Sequence, residues 1–409
     1  MKIVMVIPTY WRTDRVPAKD QEIIFDHPTH ISEEGLLPRL LESIEVLNDR
    51  DFDIAVVGAS EFKSRYPRME VDGKLRVVLE PYVDMLDTDI HLFSHYHRSM
   101  VREYLKEKGF PELIELVTIS GYSSMRNMCS LAALILDADV VISIDDDEVF
   151  NDPNFISKAV ENIGKKYKGK PIMGVCGHYE VIRYRPPEPG EPTWDIFWTS
   201  EIMRKAHASA KEPPRLKEAK WALGGNMVFH RDLISTIPFD INIARGEDCD
   251  YVINAKMFDY TMVMDAELSI AHIPPPTPFP DWLKLRMDIR RFVYTRKKLL
   301  CQEPREGLKY VSIESLDPYP GTFLKEDLQE RIFKTNILLG MKYLSEGKID
   351  DCNECMKNIQ IAIEESQSNI NPFLEYLELQ KKWKKLTSLI EEDEKFKEKM
   401  KKKMRHLGH

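Results

Sequence analysis

A β-branched apolar run, Val140-Val141-Ile142-Ser143-Ile144, leads directly into four acidic residues, Asp145-Asp146-Asp147-Glu148. The run has the composition and length of a buried strand. The carboxylates therefore fall at its C-terminal end, where open α/β sheets bind their ligands. Like charges this crowded cost free energy unless something positive sits among them. A hard divalent cation that also carries phosphate oxygens meets that need, because carboxylates at i and i+2 of an extended chain point to one side. The competing reading is an acidic loop solvated by water, the usual state of a charge run. The strand before the run and the motifs around it favour the cation.

Strand and helix signals alternate through the first 275 residues. The pattern predicts strands over 2–7, 53–58, 75–79, 115–119, 140–144, 172–176 and 226–229. It predicts helices over 36–48, 97–108, 123–136, 154–164 and 246–257. Such alternation implies a mostly parallel sheet covered on both faces. The proline-rich segment Ile273-Pro274-Pro275-Pro276-Thr277-Pro278-Phe279-Pro280 cannot be helical and marks a boundary. Beyond it, residues 281–300, 322–347, 349–366 and 372–405 carry helical periodicity. The expected organisation is an α/β domain over 1–275 and a helical domain over 281–409, with no repeat and no sustained heptad.

Composition narrows the function. Of the 409 residues, 43% are apolar, ample for a sizeable core, and the formal net charge of −9 argues against a nucleic-acid partner. Charged residues reach 31%, above the usual quarter, a bias shared by thermophilic proteins. No signal peptide precedes the first strand, and no apolar run approaches the ~20 residues that cross a bilayer. A soluble, cytoplasmic protein is expected, its six cysteines free thiols. Cys352 and Cys355 form half of a metal or redox motif with no second half, and read as two helix thiols. The tail from Lys395 to Lys403 is basic and reads as a solvated helix end.

The motifs fall in a telling order: Ile7-Pro8-Thr9-Tyr10, then a helix with Leu36-Leu37-Pro38-Arg39-Leu40-Leu41-Glu42-Ser43, then Met125-Arg126-Asn127. Next come Ile144-Asp145-Asp146-Asp147, Gly224-Gly225-Asn226, Gly246-Glu247-Asp248 and finally His272. In this order they resemble the GT-A fold of nucleotide-sugar glycosyltransferases, most of all family 2, over residues 1 to 275. The resemblance implies a Rossmann-like α/β fold and a role for each matching position. Asp145 and Asp147 match the DXD element that holds Mg²⁺ or Mn²⁺, with His272 completing the metal site. Pro8, Thr9, Tyr10, Arg126, Asn127 and Asp146 would join them in binding the nucleotide sugar. Gly224, Gly225 and Asn226 match the turn that lines the acceptor side. Glu247 and Asp248 match the acidic pair at a helix start, where Asp248 would be the general base. The histidines His91, His95 and His97 have no matching carboxylate and read as surface or acceptor-loop residues.

The chain departs from the family in three places. Its second strand ends Val56-Val57-Gly58-Ala59-Ser60, without the acid that contacts a nucleobase. Residues 12–34 form an insertion, and the step from Arg126 to Asp145 is a few residues longer than in the family. Between the acidic run and Gly224 lies a basic, aromatic segment that includes Arg183, Arg185 and Trp194. Aromatic rings suit sugar faces and arginines suit phosphate, so a small polar, phosphorylated acceptor is expected there.

The expected reaction is hexosyl transfer to a hydroxyl with inversion. GDP-mannose is the donor to consider first, in the manner of mannosyl-di-myo-inositol-phosphate synthases. The alternatives are a retaining GT-A transferase of the mannosylglycerate synthase type and a non-catalytic nucleotide-sugar-binding or scaffolding protein. A sugar-1-phosphate nucleotidyltransferase would need a glycine-rich loop after the first strand, and a processive synthase would need membrane spans; neither is present. The C-terminal helices carry no catalytic signature and are candidates for self-association into a homodimer.

Overall fold

The computed structural model describes residues 1–409 apart from 13–24, 26, 61–64, 120, 181–197, 199, 276–278 and 406–409. Among these described residues one sheet of eleven strands organises the fold. Its central path runs β4 (Ile90–Phe93), β3 (Asp53–Ser60), β1 (Ile3–Arg12), β5 (Val140–Ser143), β10 (Met227–His230), β8 (Lys170–Tyr179), β11 (Thr261–His272) and β6 (Glu148–Val149). Short strands β2 (Thr29–His30), β7 (Lys166–Tyr167) and β9 (Leu216–Glu218) pair with β1, β8 and β11. β1 pairs in parallel with β3 and β5, whereas β10 runs antiparallel to both β5 and β8. The C-terminal ends of β1, β5, β8 and β11 and the start of β10 therefore share one edge of the sheet.

Side chains alternate across the sheet, as the two-residue repeat of a strand requires. On β1, Ile3, Met5 and Ile7 enter one apolar core while Val4 and Val6 enter the other. The first core is covered by α1 (Leu37–Ser43), α2 (Arg65–Met85) and α5 (Phe155–Val160). The second is covered by α3 (His95–Glu107), α4 (Tyr122–Ile135), α7 (Arg231–Thr236) and α8 (Glu247–Met257). Helix α6 (Ser200–Ala210) packs on β8 and β11. This is the expected α/β architecture with a helical C-terminal region: α9 (Asp281–Leu300), α10 (Leu328–Ser345), α11 (Ile349–Gln367), α12 (Pro372–Glu392) and α13 (Glu394–Arg405).

Those last helices extend the second core across the proline-rich boundary. Leu285, Ile289, Trp383, Met400 and Met404 belong to the same buried cluster as Val4, Phe93 and Leu131. Four side chains of α12 donate to backbone carbonyls around α7: Tyr376 to Pro238, Gln380 to Thr236, Trp383 to Ile234 and Thr387 to Ser235.

Two expected strands do not form. Residues 75–79 lie inside α2, because Val71, Leu75, Leu79 and Tyr82 recur at helical spacing and bury one face against β3. Residues 115 and 116 close a 3₁₀ turn, Pro111–Leu116, and 117–119 leave it without forming a strand. Conversely, β4 and β11 were not expected. β4 is only four residues long, and β11 carries an irregularity between Met264 and Ser269 that breaks its alternation. The helix expected over 372–405 is broken at Asp393 between α12 and α13.

Candidate active site

The shared edge of the sheet carries a cavity of about 390 Å³. Tyr10, at the end of β1, Tyr179, at the end of β8, and His272, at the end of β11, line it together with Asp145, Asp146 and Asp147. Two helix starts face it as well, with Tyr122 and Arg126 from α4 and Glu247 and Asp248 from α8. Acids in a first helical turn gain from the exposed N–H groups and the dipole there.

The crowded charge of the acidic run is resolved by three devices. First, the buried Arg126 guanidinium grips Asp145 with both arms, at 2.7 Å and 2.9 Å, and also reaches Ser143 at 3.1 Å and Glu247 at 3.4 Å. A fork of this kind is among the strongest charge-assisted contacts. Second, the Nε2 atoms of His27 and His272 lie 3.0 Å and 3.1 Å from Oδ2 of Asp147. Burial opposes the charge of Asp147, but these two imidazoles outweigh it and hold the carboxyl well below its ordinary range. Third, burial disfavours the charged form of two of the acids. Asp146, bonded to Thr9 and repelled by Asp147, is pushed up to about 7. Glu148, fully buried, is raised well above its ordinary value by desolvation and by the charges of Asp145 and Asp147.

The chain does not stay extended through the run. β5 ends at Ser143, and Asp146 and Asp147 form a turn before β6. Asp145, Asp147 and Glu148 nonetheless bring carboxylate oxygens within 4.8 Å of one another. Glu148 supports the turn from beneath, accepting from the N–H of Asp145 at 3.1 Å. Arg39 of α1 fixes the other side, donating to the carbonyls of Asp147 and Ile273 at 3.3 Å and 2.9 Å. Three carboxylates with two imidazoles beside them form a mixed oxygen and nitrogen donor set that fits Mn²⁺, and by its oxygens Mg²⁺.

The glycines earn their place by close approach. A Cβ on Gly224 would lie 2.3 Å from an Arg126 nitrogen, and one on Gly225 would lie 1.9 Å from Glu148 Oε1. At Gly246 the backbone is left-handed, with φ +74°, and a Cβ would overlap Arg291 of α9. Gly224 also donates its N–H to Oδ2 of Asp248 at 3.1 Å. Burial raises the carboxyls of both Glu247 and Asp248; Arg126 opposes the rise at Glu247, and Arg291 does so at Asp248.

Other expected site residues lie elsewhere. Asn127 is buried away from the cavity, exchanging hydrogen bonds with the backbone of Phe239 at 2.9 Å and 2.8 Å. Asn226 is also buried, its amide given to the carbonyls of His178 and Leu268. Pro8 and Thr9 belong to the buried body of β1, and Thr9 touches the cavity only through Asp146. Arg183, Arg185 and Trp194 lie outside the described residues. His91 and His97 are buried, not on the surface; His91 sits 3.3 Å from Asp53, and His97 caps the start of α3.

Sequence reasoning missed His27, Asp288, Arg291 and Tyr319, all of which line the cavity. The ring of His272 stacks on Tyr179 with centroids 4.4 Å apart. Arg291 is held by Asp288 at 3.0 Å and donates to the Tyr319 hydroxyl at 3.1 Å. Part of the cavity wall thus comes from the C-terminal region. For His27 the only signal was an imidazole inside the insertion after β1.

No family model and no curated protein matches this chain. Among solved structures it is similar to mannosyltransferase PcManGT from Pyrobaculum calidifontis in complex with GDP-Man and Mn²⁺. The identity is 12% over 95% of this chain and 86% of that one, with a TM-score of 0.45. It is also similar to glucosyl-3-phosphoglycerate synthase from Mycobacterium tuberculosis in complex with Mn²⁺ and UDP-glucose. There the identity is 16% over 71% of this chain and 77% of that one, with a TM-score of 0.34. Both are distant likenesses, and neither bears on the chemistry of this cavity.

Proposed function

We propose that this protein is a metal-dependent glycosyltransferase, moving a hexosyl group from a nucleoside diphosphate sugar to an acceptor hydroxyl. The supporting observation is that Asp147, flanked by His27 and His272, shares one cavity with the Arg126–Asp145 pair and with Asp248. Asp147, His27 and His272 would hold Mn²⁺ or Mg²⁺, with Asp145 beside them. When bound, the cation neutralises the diphosphate as it departs. Arg126 keeps Asp145 aimed into the cavity and spares it from repelling its neighbours.

Asp248 is the general base in this reading. Its carboxylate is fixed by the N–H groups of Gly224 and Cys249, so it meets an acceptor hydroxyl in a set orientation and takes its proton. Glu247 is turned toward Arg126 and is less free to do so. With Asp248 as the one base and Asp145 and Glu247 both turned to Arg126, single displacement with inversion is the reaction in this reading. Tyr10 and Tyr122, in edge contact at 5.3 Å, offer ring faces for the donor. Arg291 and Tyr319 wall the acceptor side, where a guanidinium suits a phosphorylated acceptor. GDP-mannose and a polyol phosphate are the donor and acceptor to try first.

Thermal shift with GDP and UDP, each with and without Mn²⁺, tests the donor half. Stabilisation by one nucleotide, present only with the cation, is expected. Silence toward every nucleotide in the presence of Mn²⁺ contradicts the reading. Product NMR then reads the anomeric configuration, and retention would remove Asp248 from its role as base.

A further inference from the structure

Helices α10 and α11 form a hairpin whose inner face joins the core through Ile332, Leu339, Tyr343, Cys355 and Ala362. Its outer face is apolar as well. On α10, Phe333, Met341 and Leu344 are exposed, with Ile337 half-buried between them. On α11, Ile349, Met356 and Ile363 are exposed, spaced seven residues apart, with Cys352 and Ile359 half-buried at the intervening positions. That is the three-four spacing of a helix that expects a helical partner. Met341 is 63% exposed and Ile349 62%, so this is a face without a cover among the described residues.

The two rows belong to one surface. They border the seam between the helices at Gly340, where a Cβ would lie 3.1 Å from the Met356 methyl and 3.5 Å from Cys352 Sγ. The small residue lets the two helices approach closely along the seam. The apolar side chains around it expose on the order of 600 Å², the upper end of what a monomer shows. That approaches the ~800 Å² per partner of a stable pairing. Charges bordering the rows differ by helix. α10 is net basic through Arg331, Lys334 and Lys342, with Glu330 paired to Lys334, whereas α11 is net acidic, its Lys357 outnumbered by acids from Asp350 to Glu365. A two-fold axis that lays α10 of one copy against α11 of another brings these opposite charges together.

We infer that this hairpin face binds a second copy of the chain, the two hairpins closing into an intermolecular four-helix bundle. The bundle stands apart from the cavity residues, so the inference holds whatever reaction the cavity performs.

Sedimentation velocity on the full chain tests it. The wild type is expected to sediment as a dimer at micromolar concentration. Met341→Lys with Ile349→Lys, and separately Ile363→Glu, are expected to give monomers with unchanged circular dichroism. Val77→Glu, at an exposed position on α2, is expected to stay dimeric. A monomeric wild type overturns the inference and leaves the face to some other protein. A dimer that survives both hairpin variants overturns it equally, because the contact then lies elsewhere.

Discussion

Asp147 has two imidazoles on one carboxylate oxygen, and only one of them was visible in the sequence. His272 closes an ordered series of motifs, whereas His27 lies in an inserted segment and is brought to the site by the fold. Replacing His27 with Ala is expected to weaken Mn²⁺ binding about 10- to 100-fold, read by titrating activity against the metal. An unchanged metal requirement would mean that His27 is only a neighbour. Arg291 was equally invisible, since its charge acts on Asp248 from the far side of the proline-rich boundary. A base must be deprotonated to act, and burial raises the carboxyl of Asp248. The acidic limb of kcat/KM is therefore expected above the ordinary carboxylate value of about 4, with activity growing as pH rises through it. The Arg291 guanidinium opposes that rise, so Arg291→Gln should move the limb to still higher pH. A limb that stays in place would detach Arg291 from Asp248. What was legible at this scale was contiguous: the acidic run, Arg126, and the Glu247–Asp248 pair each advertise themselves within a few residues.

Elements were legible where one period ran unbroken. β5 and the first half of β1, Ile3–Ile7, are continuous apolar runs, though β1 continues past the expected end through Pro8 and Thr9 to Arg12; α9 and α11 begin and end within one residue of expectation. Leu75-Arg76-Val77-Val78-Leu79 misled because β-branched residues favour strands, while the wider spacing from Val71 to Tyr82 serves a helix. Neither did the sequence announce how α9 is tied to α8. Lys298 is fully buried and bonds Asp250 at 2.6 Å, Asp240 at 3.1 Å and Asn254 at 3.0 Å. Its ammonium also lies 4.8 Å from the Tyr376 ring centroid. Asp250 stands two residues beyond Asp248, so this lysine fastens the helix that carries the proposed base. Lys298→Met leaves two buried carboxylates facing each other and is expected to cost about 3–5 kcal/mol, measured by chemical denaturation. A loss below 1 kcal/mol would show that the network is dispensable.

At the scale of the whole molecule, the C-terminal helices complete the second core and part of the cavity wall. Composition separated them from the sheet at residues 273–280, but burial does not. α13 is held to the turn after α4 by Asp137, which bonds Lys397 at 2.7 Å and also binds Lys401. Burial works against the charge of Asp137, yet the two ammonium groups win and lower its pKa. A lowered folded value stabilises fully above the unfolded value of about 4 and loses that contribution as pH falls through the folded one. Asp137→Asn should therefore destabilise at pH 7, and the gap to wild type should narrow toward pH 3; a gap independent of pH would refute the linkage. The central claim, however, concerns the cavity. It is tested most directly by following nucleoside diphosphate release from a panel of nucleotide sugars, with wild type and Asp147→Ala, in Mn²⁺ and in EDTA. Turnover of one sugar nucleotide that requires Mn²⁺ and disappears in Asp147→Ala is the predicted result. Turnover untouched by EDTA, or undiminished in the variant, would contradict it.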